Sequence, residues 1–179
     1  MSNRPLILIS NDDGVQAQGI AVLTQLMRPL GDVMVVAPDG PRSSTGCGIS
    51  PLSTLHVKCL SQEQGLTVYQ CNGTPSDCLK LALDVLVPRK PDLVVSGINH
   101  GDNASVSLHY SGTVGAALEA CMKQVPSIAY SLRTKKQQCD PEQHIDHHAK
   151  VIIHHSGSIV ENDHPNCDGG FIEHLLAPD

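Results

Sequence analysis

The chain has 179 residues, 40% of them hydrophobic, which is enough for one domain with its own core. Trp is absent and only three Tyr and one Phe occur, so we expect an aliphatic core. The formal net charge is −6, and no basic stretch with interleaved aromatic residues occurs, which argues against nucleic acid as a partner.

The first elements have the pattern of a parallel sheet. Residues 6 to 9 and 33 to 37 are short continuous apolar runs, typical of strands buried on both faces. Between them, apolar residues recur at helical spacing and predict a helix that ends near residue 31: Ile20, Leu23, Met27 and Leu30. Strand, helix and strand in this order predict a doubly wound α/β sheet.

The middle of the chain predicts a loop, a hairpin and a capped helix. Residues 38 to 53 are rich in Gly, Ser and Pro, and residues 56 to 60 and 67 to 71 suggest two short strands. Thr74 is followed by Pro75 and, three residues after Thr74, by Asp77, which is typical of a helix start. Apolar residues then continue this helix: Leu79, Leu83 and Leu86.

A third buried strand is predicted at residues 93 to 95, followed by a long loop over 96 to 111. The next helix is indicated by Val114, Leu118, Cys121 and Val125, and residues 127 to 131 predict another strand. The pattern changes after residue 133, where periodicity weakens and seven of the ten His fall between 144 and 174. We therefore expect a domain over residues 1–133 and a polar His-rich tail over 134–179. We expect this tail to be poorly ordered and to supply at most one docking helix and a short strand.

The cysteines indicate the compartment. Seven are scattered along the chain without a C-x-x-C pair, and their number is odd, which favours reduced thiols. The apolar run at residues 6 to 9 is too short for a signal peptide or a membrane span. We expect a cytoplasmic protein without a membrane partner.

Two adjacent carboxylates follow the first strand, within Asn11-Asp12-Asp13-Gly14. Ligands of open α/β sheets bind outside the carboxyl ends of the strands. Asp12 and Asp13 would repel each other there unless a cation lay between them. The alternative is a turn in which Asp13 caps the following helix.

The loops after the second and third strands carry further candidates. Ser43 and Asn99 offer neutral oxygen atoms, and Asn oxygen is a suitable ligand for Mg²⁺ or Mn²⁺. Both residue types also occur in ordinary turns. Arg42 is placed for bidentate contact with a phosphate, or is an exposed surface charge.

Two helix starts carry hydroxyl groups. Ser111 and Thr113 open a helix whose free N–H groups and dipole suit an anion. Ser111 and Thr74 are equally suited to the simpler role of N-cap. No single one of these patterns is decisive, but together they place oxygen ligands and an anion-binding element after several strands, as a metal–phosphate site requires.

Five stretches in one order make the chain similar to the SurE family, the stationary-phase survival nucleotidases. They are ILISNDDGVQAQGI, VVAPDGPRSSTG, CNGTPSDCLKLAL, PDLVVSGINHGDN and YSGTVGAALEA; the stretches lie between residues 7 and 120, and the resemblance covers residues 6 to about 131. The resemblance implies a Rossmann-like three-layer sandwich with a mostly parallel sheet. It also implies one divalent cation per subunit, Mg²⁺ or Mn²⁺, and hydrolysis of nucleoside 5′- or 3′-monophosphates and of short polyphosphate.

The resemblance assigns roles residue by residue. The metal ligands would be Asp12, Asp13, Ser43 and Asn99, and the substrate or phosphate contacts would be Asn11, Thr74, Asn103, Ser111, Gly112 and Thr113. Arg42 joins the second group from the residue argument above. A bound metal would polarise a phosphoryl oxygen, and Asp12 and Asp13 are the catalytic carboxylates, with Asp13 the better placed to take a proton from water.

Residues 134–179 do not resemble the family's C-terminal strand and extended arm, so we expect both to be lacking. Family members form homodimers or larger assemblies, and this difference leaves the assembly open. A catalytically silent binding or scaffold protein is therefore the alternative to an enzyme. A response-regulator receiver domain is disfavoured, because it needs an Asp ending a middle strand and a Lys ending a later one, whereas the middle strand here leads into Ser96-Gly97-Ile98-Asn99.

Overall fold

The computed structural model describes residues 4–43, 45–100, 109–133, 148–155 and 158–163, and beyond Ser131 it describes the backbone only. These ranges contain eight strands: β1 (Leu6–Ser10), β2 (Asp32–Pro38), β3 (Val57–Glu63), β4 (Leu66–Cys71), β5 (Leu93–His100), β6 (Ser127–Arg133), β7 (His148–His155) and β8 (Ser158–Asp163). The helices are α1 (Gln18–Met27), α2 (Pro75–Leu81), which continues into a π-helical segment (Ala82–Leu86), and α3 (Gly112–Met122).

All eight strands form one sheet in the order β3-β4-β2-β1-β5-β6-β7-β8. The five strands from β4 to β6 in this order are parallel, and β3, β7 and β8 pair antiparallel with their neighbours. The sheet is therefore mostly parallel, as the sequence predicts. Strand β1 lies between β2 and β5, where the winding of the chain reverses direction, and this is the position at which open α/β sheets bind ligands.

Helices cover both faces of the sheet, which confirms the three-layer prediction. Alternate residues of β1 point to opposite faces, so Ile7 and Ile9 pack with α1 while Leu8 packs with α2 and α3. The two core clusters are aliphatic, again as predicted, and the largest fully buried side chains are mainly Ile, Leu and Val. None of the described helices combines the length and the hydropathy needed to cross a membrane.

Strand β5 and helix α2 differ from the prediction. We expected a loop from residue 96, but β5 continues to His100, with a register irregularity between Ser96 and Asn99 where it pairs with β6. Gly97 has a φ of +127° at this irregularity, which explains why a glycine interrupts the apolar pattern. Helix α2 ends at Leu81, and the following turn is π-helical, with the Val87 N–H donating to the Ala82 carbonyl.

The sheet also continues past residue 133, where we expected the domain to end. Strand β7 pairs antiparallel with β6 over Ser127–Arg133, and β8 pairs antiparallel with β7. The expectation of at most one short strand in this tail was wrong, because two apolar runs, residues 151–153 and 159–160, extend one sheet side by side. The expected disorder of residues 134–147 and 164–179 lies outside the described residues.

Candidate metal and phosphate site

The turn after β1 is built around Asn11. Its side-chain amide donates to the Gly14 carbonyl at 2.9 Å, and its amide oxygen accepts from the Gly14 N–H at 3.2 Å. Gly14 has a φ of +99°, and a Cβ there would lie 3.0 Å from Gly40 Cα, so the position requires glycine. Asn11 is fully buried and uses both ends of its amide within the turn. Its observed role is therefore to fix Asp12 and Asp13 at the end of β1, and the substrate contact implied by the resemblance stays a prediction.

Asp12 is a buried carboxylate with a single side-chain partner among the described residues. Thr113 Oγ1 donates to Asp12 Oδ1 at 2.5 Å, and Asp12 is only 7% exposed. Burial raises the pKa of Asp12 above its ordinary value; the Thr113 hydrogen bond opposes this shift, and the charge of Asp13 adds to it. A cation bound beside Asp12 would oppose this shift, because a nearby positive charge favours the ionised carboxylate.

The guanidinium of Arg42 binds groups other than the Asp12 carboxylate. Its guanidinium donates to Asp39 Oδ1 at 2.7 Å and to the carbonyls of Asn72 and Gly73 at 3.0 and 3.4 Å. Its backbone N–H donates to the Asp12 carbonyl at 2.7 Å. Arg42 thus ties the loop after β2 both to the end of β4 and to the turn that carries Asp12, and this favours a bracing role over the predicted phosphate contact.

The two neutral candidates reach the same edge of the sheet. Ser43 is exposed and directly follows Arg42, whose backbone is bonded to Asp12. Asn99 lies at the end of β5, which neighbours β1 with Ser96 in register with Ser10. A Cβ at Gly19 would lie 2.1 Å from the Ile98 carbonyl oxygen, so the start of α1 packs directly against the chain beside Asn99. Asn103 lies outside the described residues.

Helix α3 begins directly against Asp12. Ser111 is its N-cap, and the Ser111 hydroxyl accepts from the Val114 N–H at 3.2 Å, as the sequence allowed. A Cβ at Gly112 would lie 2.7 Å from Asp12 Cβ and 3.1 Å from Pro75 Cγ. The N–H groups of Gly112 and Thr113 precede the first carbonyl-to-N–H bonds of the helix, so this helix end is suited to an anion beside the carboxylate pair.

Thr74 caps α2 as predicted. Its hydroxyl accepts from the Asp77 N–H at 3.1 Å and donates to the Gly48 carbonyl at 2.7 Å. The Asp77 carboxylate in turn accepts from the Thr74 N–H at 2.9 Å, which completes a capping box. Asp77 also accepts from the Ser50 N–H at 2.9 Å. These bonds fasten the loop after β2 onto α2, and because both functions of the Thr74 hydroxyl are in use, the cap role is favoured over substrate contact.

The residue types at this edge fit a hard divalent cation. Asp12 and Asp13 bring two negative charges, and Ser43 and Asn99 bring neutral oxygens, which are the ligands that Mg²⁺ and Mn²⁺ prefer. Within the described ranges no group of three or more His, Cys, Asp or Glu could hold a metal, so a site rich in His or Cys has no support there. The burial of Asp12 next to a second carboxylate is the observation that favours a cation at this edge.

Sequence reasoning missed the contacts that build this site. The pairing of Asp39 with Arg42 has an i,i+3 spacing that could have been noticed. The bond from Thr113 to Asp12 joins residues 101 positions apart, and no local pattern signals it. The resemblance places Gly112 in a phosphate-contacting loop, and in the structure a Cβ at Gly112 would lie nearest to Asp12.

Comparisons with known proteins agree on one family. The family model described as "Survival protein SurE" matches residues 7–173, which includes most of the tail over 134–179 that we expected not to resemble the family. A protein of Bacteroides thetaiotaomicron named "5'-nucleotidase SurE" is 52% identical over 141 residues, covering 79% of this chain and 54% of that relative. Its namesake in Porphyromonas gingivalis strain W83 is 48% identical over 160 residues, covering 89% of this chain and 61% of the relative.

A solved structure is similar as well. The SurE protein from Aquifex aeolicus superimposes with a TM-score of 0.66 at 37% identity, covering 74% of this chain and 53% of that one. The chain thus spans about half to three-fifths of the length of the relatives that it matches.

Proposed function

The chain belongs to the SurE family, and we propose that it is a metal-dependent phosphatase that releases phosphate from nucleoside 5′- or 3′-monophosphates. Relatives named 5'-nucleotidase SurE, about 50% identical over most of this chain, support the activity. The observation that carries the proposal for this chain is the buried Asp12 beside Asp13, placed at the N-terminus of α3. A cation site and an anion site side by side are what a metal-bound phosphate requires.

The proposed ligands are Asp12, Asp13, Ser43 and Asn99, holding one Mg²⁺ or Mn²⁺ per subunit. When bound, the cation supplies Lewis acidity, which polarises a phosphoryl oxygen and makes a water more acidic. Two carboxylates balance the charge of a divalent ion, and two neutral oxygens complete the ligand set without further negative charge, which would weaken both effects.

The protein's own residues then orient the reaction. We assign to Asp13, which is partly exposed whereas Asp12 is buried, the removal of a proton from the attacking water. The N–H groups of Gly112 and Thr113 at the start of α3 would hold the non-bridging phosphate oxygens, where negative charge must be stabilised as the ester bond breaks. Asn11 and Arg42 would keep the carboxylate turn and the Ser43 loop in register with each other.

Two further points belong to the same proposal. Hydrolysis of short polyphosphate would use the same anion site, because its terminal group is also a phosphate with negatively charged non-bridging oxygens. A cytoplasmic location is supported by the cysteines, since all five in the described ranges are free thiols.

The test is phosphate release from adenosine 5′-monophosphate, adenosine 3′-monophosphate and tripolyphosphate by the purified chain. We expect turnover of both nucleotides with Mn²⁺ or Mg²⁺, loss of turnover with EDTA, and recovery when excess metal is restored. Turnover that is unchanged by EDTA would contradict the metal-dependent mechanism. A chain that binds Mn²⁺ but releases no phosphate from any of the three would favour a silent binding protein.

A further inference from the structure

We infer that Thr113 is a positioning residue for the metal ligand Asp12: it holds Oδ1, so that the carboxylate offers a cation only its other oxygen. The inference rests on the proposed function, because it assumes a divalent cation at Asp12. It gives the site a cation preference, for small ions such as Mg²⁺ and Mn²⁺ over Ca²⁺. It also assigns the Thr113 side chain to the carboxylate, where the family resemblance implied a phosphate contact.

The direction of the hydrogen bond follows from the chemistry of the two groups. A carboxylate that binds a cation is ionised and can only accept, so with a cation bound the Thr113 hydroxyl donates to Asp12 Oδ1, which lies 2.5 Å from Thr113 Oγ1 in this structure. Thr113 is fully buried and Asp12 nearly so, so water does not compete effectively for either group. A proton already shared with Asp12 is not available to a phosphate oxygen.

The Asp12 carboxylate has little room to move out of this hydrogen bond. Gly112 packs its Cα against the Asp12 side chain so closely that no Cβ would fit, and the Arg42 N–H holds the Asp12 carbonyl at 2.7 Å. Thr113 lies in the first turn of α3, and its β-branched side chain has few rotamers in a helix. Contacts at its backbone carbonyl, its Cβ and its Oδ1 therefore all restrict the position of Asp12.

The cation preference follows from which carboxylate oxygens of Asp12 remain available to bind a metal. Mg²⁺ demands near-ideal octahedral geometry and is usually bound through few carboxylates, whereas Ca²⁺ accepts six to eight oxygens and often takes both oxygens of one carboxylate. Bidentate binding by Asp12 would require Oδ1 to give up the Thr113 hydroxyl. The arrangement therefore disfavours Ca²⁺ without any repulsive group.

The experiment is isothermal titration of the purified, EDTA-stripped chain with Mg²⁺, Mn²⁺ and Ca²⁺ in the absence of substrate. Thr113→Val removes the donor at nearly constant shape, and Thr113→Ser keeps a hydroxyl and is the matched control. We expect Thr113→Val to lower the Mn²⁺ and Mg²⁺ affinities about tenfold or more, which is typical of changes to residues that orient metal ligands. The Ca²⁺ affinity should fall by a smaller factor. Thr113→Ser should stay within about threefold of the unchanged chain for all three ions.

Each outcome has a defined meaning. Equal Mn²⁺ affinity and an equal Mn²⁺-to-Ca²⁺ ratio in Thr113→Val and the unchanged chain would overturn the inference. So would weaker binding of inorganic phosphate to the Mn²⁺-loaded Thr113→Val variant with metal affinity retained, because that is the pattern of a phosphate contact. If Thr113→Val does not fold by circular dichroism, Thr113→Ala makes the same test with less crowding.

Failure of the proposed function remains distinguishable. A chain that shows the expected cation ratios but releases no phosphate supports the role of Thr113 and contradicts the activity. A chain that binds none of the three ions at millimolar concentration contradicts this inference, whatever its activity.

Discussion

Replacing Gly112 by alanine should disable the site while leaving the fold in place. The added Cβ would lie 2.7 Å from Asp12 Cβ, whereas ordinary contact begins near 3.4 Å, so the two must separate by about 0.7 Å. The helix cannot easily rotate the methyl group aside, because Pro75 Cγ lies 3.1 Å from the same position. The displacement therefore falls on Asp12 or on the start of α3, and both belong to the proposed site.

The expected effects on activity and stability differ in size. A misplacement of about 1 Å in a catalytic arrangement can cost about 10²-fold in rate, so we expect kcat/KM to fall by about two orders of magnitude. Overpacking destabilises by about 1–3 kcal/mol, and up to about 1 kcal/mol is offset because alanine is the better helix former. The free energy of unfolding should thus fall by about 0–3 kcal/mol.

The assay is Mn²⁺-dependent phosphate release together with urea unfolding, for Gly112→Ala and for a matched control, Gly40→Ala. Gly40 lies on the neighbouring loop, and a Cβ there would meet no atom within 4 Å, so the control should keep its activity. The reasoning is refuted if Gly112→Ala retains activity within about threefold of the control. It is equally refuted if the loss of activity is no larger than the unfolded fraction explains.

Three further predictions concern the parts that support the site. Thr74→Ala removes the cap of α2 and should lower the free energy of unfolding by about 1 kcal/mol without changing Mn²⁺ affinity, as measured by urea unfolding and titration; a loss of Mn²⁺ affinity with unchanged stability would instead point to a role in the site. Burial raises the pKa of Asp77, but hydrogen bonds from the N–H groups of Ser50 and Thr74 lower it more. The ionised Asp77 therefore stabilises the folded chain above the unfolded pKa of about 3.9, and this contribution is lost as the pH falls through the lower folded pKa. Asp77→Asn should therefore be less stable than the unchanged chain at pH 7, and the gap should narrow as the pH falls below about 3.9; a gap independent of pH would show that the charge of Asp77 contributes nothing. Strand β7 pairs on both sides, with β6 and β8, so trypsin should cleave after Lys150 far more slowly in the folded chain than in urea, and equally fast cleavage would show that the β7–β8 pair does not persist in solution.

Local chemistry explains which parts of the fold were predictable. The cap formed by Thr74 and Asp77 was evident from spacing alone, because the bonds of a capping box join residues three apart. The buried strands β1 and β2 were evident from continuous apolar runs. The extension of β5 was not, because Ser96, Gly97 and Asn99 have turn composition, and only pairing with β6 keeps them in the sheet.

The candidate residues of the site could be predicted from the sequence, but the hydrogen bonds that connect them could not. Asp12 and Asp13 stand out as adjacent carboxylates after a strand, and the family resemblance added Ser43 and Asn99. The Thr113 bond to Asp12 depends on how α3 packs against the end of β1, which is a property of the whole sheet. Arg42 shows the opposite case, since its sequence position suggested a phosphate while its partners are Asp39 and two backbone carbonyls.

The central claim is that the buried carboxylate at the end of β1 holds the catalytic cation. The most direct measurement is phosphate release from adenosine 5′-monophosphate at saturating Mn²⁺ by Asp12→Asn, beside Asp84→Asn, which removes an exposed carboxylate on the π-helical segment. We predict that Asp12→Asn is folded and loses at least about 10³-fold in kcat/KM, while Asp84→Asn keeps its activity. Activity of the folded Asp12→Asn within about tenfold of the unchanged chain would contradict the claim.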